Sequence, residues 1–106
     1  MNDSGLRESN EYGATREPSD GRGRFDLISP FALERLAVWY ELGAKKYGDR
    51  NWEKGLTRSR CVESLFRHLV KYMQGKSDED HLAAIAWNAF AIMHFEEVPP
   101  IKKQED

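Results

Sequence analysis

The side chains with most chemical capacity sit in three places. Histidine as a residue type titrates near neutrality, so His68 and His81 can each act as a general base or as a metal ligand. Glu63 shares a helical stretch with His68 but lies ~140° away on the wheel, so the two do not reach one ion together. His81 and Asn88 are seven residues apart on a stripe with Ala84, Ile85, Ile92 and Phe95. Polar side chains on an apolar stripe need partners. Core hydrogen bonds and a bound ligand both satisfy that need, and the spacing leaves both open. The stretch "GAKKYGDRNW", Gly43 to Trp52, collects two lysines, a tyrosine, an asparagine and a tryptophan around a helix stop. Lys45 follows Glu41 by one helical turn, the spacing of a surface ion pair. Cations in a last turn also complement the helix dipole without any ligand. Upstream, "GRGRFDLI" sets Arg22 and Arg24 between glycines. Such a loop can wrap phosphate or serve as a solvated linker.

Three helices must position these groups. The first starts at Ser29-Pro30, an N-cap followed by Pro at the first helical position, and runs to Tyr47, with Gly48 as its stop. Leu33, Leu36, Ala37, Tyr40, Ala44 and Tyr47 share one face. Phe31, Val38 and Leu42 form a second apolar stripe, which a monomer does not need. The second helix is expected from about Ser59 to Gln74, ended by Gly75. The third opens with Ser77 as cap and Asp78, Glu79 and Asp80 as first-turn acids, and ends before Pro99-Pro100. It is apolar almost all round, the pattern of a helix covered on every side. Two partners from the same short chain hardly suffice. The fold class is therefore all-α: three main helices, an irregular N-terminal arm, and a bundle completed by oligomerisation.

Composition bounds the rest. The chain of 106 residues fits one domain, read as a tail over 1–12, a helical domain over 13–98 and a polar tail over 99–106. A net charge of −2 argues against a mainly electrostatic nucleic-acid binder. One cysteine, Cys61, allows no internal disulfide and suits a reducing compartment; it reads as a small packed residue. No apolar run approaches a signal peptide or membrane span. A cytoplasmic protein without membrane or nucleic-acid partners is expected.

Four pieces, "GATREPSDGRGRFDLISP", "GAKKYGDRNWEKG", "SRCVESLFRHLVKY" and "DHLAAIAWN", resemble the phage-borne dATP/dGTP diphosphohydrolase family, MazZ-type relatives of the MazG nucleotide pyrophosphohydrolases. The resemblance spans residue 13 to about 97, and its second piece is the most distinctive. It implies a MazG-like bundle, a homo-oligomer (dimer or tetramer), and removal of pyrophosphate from dGTP or dATP. It also implies a divalent cofactor, Mg2+ or Mn2+, and, for a phage-encoded chain, the host cytoplasm. The chain departs from the superfamily's paired-carboxylate pattern, E-E-x-x-E and E-x-x-D. Ala84 stands where the aspartate would fall, and Glu63 is the one acid of the second helix.

Under that resemblance the metal would be assembled from Glu34, Glu41, Glu63 and Asp80, with a histidine. His68, His81 and Glu63 are the catalytic candidates. Arg24, Lys46, Tyr47 and Arg67 would clamp phosphates, and Asp26 belongs to the same substrate-binding set. Trp52 would stack on a base while Asn51 or Asn88 reads a purine edge. A non-catalytic helical oligomer that binds a nucleotide or a protein is the alternative.

Overall fold

The computed structural model describes residues 8–9, 11–16 and 21–100. It is all-α, as expected: α1 spans Pro30–Tyr47, α2 Arg58–Met73 and α3 His81–Glu97. Before α1, Glu8–Ser9 pairs antiparallel with Thr15–Arg16, and Phe25–Leu27 make one 3-10 turn. Residues 1–7 and 10 of the N-terminal tail expected over 1–12, and the C-terminal tail from 101 onward, lie outside the described residues.

Local chemistry sets the helix ends. Ser29 Oγ accepts the Ala32 N–H at 3.2 Å, and Pro30 occupies the first helical position. α1 stops where Gly48 adopts φ 101°, a conformation open to glycine and strained for other residues. A tight connection follows, with Arg50 in the left-handed region and a 3-10 turn over Asn51–Lys54. α2 ends in a Schellman motif. The Gly75 N–H reaches Tyr72 O at 2.9 Å and the Lys76 N–H reaches Lys71 O at 3.1 Å.

The start of α3 differs from the sequence expectation. Its cap is Asp80 and not Ser77, because the Asp80 carboxylate accepts the Ala83 N–H at 3.1 Å. Arg35 of α1 grips the same carboxylate with two hydrogen bonds, 2.9 and 2.6 Å. Residues 77–80 are therefore a non-helical turn, and Asp78 and Glu79 are freed from the capping role expected of them.

α3 is the central element. It packs most extensively on α2 and also against α1. Ala83, Ala84 and Ala91 are buried along it, and their small side chains let the neighbouring helices approach closely. Leu36 and Cys61 complete the buried apolar set. Among the described residues no large side chain is fully buried. The all-round cover expected for α3 is not reached within one chain: Leu82, Phe90 and Met93 remain 42–52% exposed. The second stripe of α1 also faces outward, with Phe31 79% and Leu42 54% exposed.

Replacing Asp80 by Ala removes both the α3 cap and the grip of Arg35. It is expected to cost about 1 kcal/mol or more of stability in chemical denaturation. Arg35→Ala leaves the cap in place and should cost less. Equal losses from the two variants would show that the cap contributes nothing.

Candidate functional site

The turn before α3 brings together groups that the sequence keeps thirteen residues apart. His68, on α2, and His81, the first residue of α3, are both buried. Their Nδ1 atoms lie 2.8 Å apart. His81 Nε2 lies 2.9 Å from Asp78 Oδ1. A hydrogen bond to His81 holds the Asp78 carboxyl below its ordinary range, so it is ionised and can only accept. His81 Nε2 therefore carries the proton and donates. With that proton on Nε2, the Nδ1 lone pair of His81 accepts from His68 Nδ1–H. The network assigns this tautomer. Glu79 adds a carboxylate oxygen 3.9 Å from His68 Nδ1.

Burial pushes the His68 pKa down; Glu79 opposes that, while His81, Arg67 and Lys71 add to it. The ring thus keeps its neutral form below the usual 6.5. Trp39 of α1 meets it edge-on at 5.9 Å between ring centroids, closing the apolar side.

His68 and Glu79 also line a groove of about 1270 Å³ between the C-terminal half of α1 and the α2–α3 pair. Its walls include Trp39, Tyr40, Trp52 and Trp87, with Ser64, Asn51 and Asn88 as polar points. Lys45, Lys46 and Arg50 bring positive charge from the α1 end and the turn after it. Lys46 Nζ sits 5.7 Å from the centre of the Tyr47 ring.

Seven of the sequence candidates line this groove: Glu41, Lys46, Tyr47, Asn51, Trp52, His68 and Asn88. His81 lies behind His68 and touches it directly. The others stand apart from the groove lining. Arg24 and Asp26 pair with each other in the arm, at 2.9 and 2.8 Å. Glu63 and Arg67 form an ion pair along α2. Asp80 is occupied by Arg35 and the α3 cap. Glu34 is exposed on α1. Glu41 pairs with Lys45 at 3.5 Å.

Two groove candidates also have structural work. Asn88 Nδ2 donates to Ala84 O at 2.9 Å and to Ser64 Oγ at 3.3 Å, tying α3 to α2. Trp52 packs edge-on against His94, 4.8 Å between ring centres, and also against Tyr40 and Phe95. Sequence reasoning missed Glu79, Asp78, Trp39, Tyr40 and Trp87 as site residues. The signal for the two acids was their place in a short turn just before a histidine. Helix-wheel geometry treats such residues as capping charges.

The fold and site define a small all-α domain with an imidazole–carboxylate cluster at an open, aromatic-walled groove. The family model described as dATP/dGTP diphosphohydrolase, N-terminal, matches residues 12–105, and the chain belongs to that family. No curated protein and no solved structure matches it. Among the described residues no helix is long and apolar enough to cross a membrane.

The depressed His68 pKa has a defined sign. The unfolded chain takes up this proton at higher pH than the folded one, so stability falls as pH drops below 6.5. A second loss is expected below 3.8, as Asp78 and Asp80 protonate and lose His81 and Arg35 as partners. Melting temperatures measured across pH should show both steps. His68→Gln should flatten the first and leave the second.

Proposed function

We propose that the groove takes a purine deoxynucleoside triphosphate, dGTP or dATP, and that the protein hydrolyses it to the monophosphate and pyrophosphate. The observation that carries this reading is the continuity of the groove. One surface joins aromatic walls and cationic side chains to the His68–Glu79 cluster. Family membership supplies the substrate class.

Trp39, Tyr40 and Trp87 offer flat apolar faces to a base. Asn51 can donate and accept along a purine edge. Lys46 and Arg50 offer cations to the phosphates. Water attacks the α-phosphorus, the α–β bridging bond breaks, and the β- and γ-phosphates leave together as pyrophosphate. His68 lines the groove, and its neutral ring keeps one lone pair, on Nε2, which either proton acceptance or ligation of an ion requires.

A divalent ion, if bound, would neutralise charge on the triphosphate and polarise its P–O bonds. The carboxylates expected to hold magnesium do not fit a closed cage within one chain. Asp80 and Glu63 are committed to Arg35 and Arg67, and Glu34 is not part of the groove lining. Glu41 alone of the four lines the groove. One carboxylate suits an ion that arrives on the triphosphate and keeps its waters, as Mg2+ does; Mn2+ is the alternative.

The exposed stripe of Phe31, Val38 and Leu42 supports a homo-oligomer, dimer or tetramer. Light scattering after size exclusion should give a multiple of the 12.3 kDa chain mass. A monomer at all concentrations would remove that part of the reading.

Incubation with each dNTP and Mg2+ or Mn2+ should release pyrophosphate and monophosphate, fastest from dGTP or dATP. Lys46→Ala should raise KM by about tenfold, worth ~1.4 kcal/mol, with an unchanged melting temperature. Tight nucleotide binding without turnover would favour the non-catalytic oligomer, for which the absent carboxylate pattern speaks. Turnover indifferent to Lys46 would move the phosphates elsewhere.

A further inference from the structure

Two buried imidazoles pointing the same kind of nitrogen at one another invite a third participant. His68, Glu79 and His81 each place a ligand atom within 4.8 Å of the others. Around a tetrahedral ion with bonds of about 2.0–2.1 Å, neighbouring ligand atoms stand about 3.3 Å apart. The Nδ1–Nδ1 distance of 2.8 Å is shorter than that, and the Glu79 distance of 3.9 Å is longer. With the His68 ring proton moved from Nδ1 to Nε2, a small rotation of the two rings and inward movement of the half-exposed Glu79 side chain would bring all three to ligating distance.

The donor set is selective. Two neutral imidazoles and one carboxylate suit zinc, cobalt or manganese, whereas magnesium and calcium prefer oxygen alone. Three protein ligands leave a fourth position open. His68 and Glu79 are groove-lining residues, so that position faces the groove. Asp78 completes the pattern from outside. It accepts from His81 Nε2, which fixes the ring and keeps its Nδ1 lone pair turned toward the cluster. A core hydrogen bond between the two rings, with Asp78 accepting from His81 Nε2–H, explains those contacts. It gives no role to the carboxylate of Glu79 beside them.

We propose that His68, Glu79 and His81 hold one divalent transition-metal ion of the zinc class, with Asp78 as the positioning residue and one coordination position open to the groove. This site differs in ligands and in metal class from the carboxylate assembly expected from sequence. It stands whether or not the groove takes a nucleotide.

The test uses the full chain, stripped of metal with a chelator and titrated with Co2+ in the absence of nucleotide. One equivalent should bind per chain, with the visible absorption of four-coordinate cobalt, displaced by Zn2+ and not by excess Mg2+. Glu79→Gln, on an exposed side chain, should abolish or strongly weaken that spectrum while the fold persists by circular dichroism. His68→Gln should do the same. Asp78→Asn should weaken affinity by about 10–100-fold, and Glu97→Gln should leave it unchanged. His81→Ala is a poorer probe, because the residue is only 2% exposed and its loss can unfold the chain. The proposal is overturned if no saturable cobalt binding occurs, or if binding is indifferent to Glu79→Gln and His68→Gln. Cobalt binding with no dNTP hydrolysis would sink the hydrolase reading alone, and hydrolysis with no cobalt binding would sink the metal site alone.

Discussion

The architecture hangs on one carboxylate. Asp80 ends the turn before α3, caps that helix, and is held from the side by the Arg35 guanidinium of α1. The cap decides where α3 begins. The Arg35 grip ties that point to α1, whose contacts with the rest of the bundle are fewer than those between α2 and α3. Because α3 begins at His81, its first side chain enters the interface with α2 and meets His68. Because the cap is Asp80, the two preceding acids stand in an irregular turn and face the imidazoles. A helix begun at Ser77 would have swept Asp78 and Glu79 round the first turn instead. The cluster thus depends on a helix boundary, and an ion pair between distant elements holds that boundary against α1.

The hydrophobic core is thin by contrast. Alanines on α3, one leucine of α1 and Cys61 make up its buried apolar part. Small residues give close helix approach but little apolar area, and area is the main source of stability. Chains of this size are marginal alone. Large apolar side chains are left on the surface instead, including Phe31, Phe66 and Phe90. Area placed outside is available to a second copy, which is the physical basis of the oligomer reading. The polar interior compensates in part. Among the described residues His68, His81 and Asn88 are the buried polar ones, and each has a geometric partner.

Electrostatics divides the groove. Its α1 end mixes Lys45, Lys46 and Arg50 with Glu41 and Asp49, and Lys45 and Arg50 pair with Glu41 and Glu53, while Glu79 stands beside the imidazoles. Aromatic faces also line the groove. The carboxylates that the family resemblance singled out are mostly neutralised by neighbours: Glu63 by Arg67, Asp80 by Arg35, Glu41 by Lys45. Such surface pairs add little stability. The acids that lie beside the histidines are Glu79 and Asp78.

The sequence by itself determined the helices. Capping residues, glycine stops and apolar periodicity are local, so Ser29, Pro30, Gly48 and Gly75 announced their roles, and three helices of an all-α family member follow from them. It also determined which residue types were present for chemistry, His68 and His81 among them. The packing of α2 on α3 alone decided that these two meet, since no spacing rule relates positions on different helices. That Asp80 and not Ser77 caps α3 is seen only in the fold, where Arg35, 45 residues away in sequence, holds the same carboxylate. The same packing separated Arg24, Glu63 and Arg67 from the groove and brought Trp39 and Trp87 to it. Side-chain type is written in the chain one residue at a time. Adjacency between helices is set by where burial, charge and steric fit are satisfied together, and that sum exists only in the folded bundle.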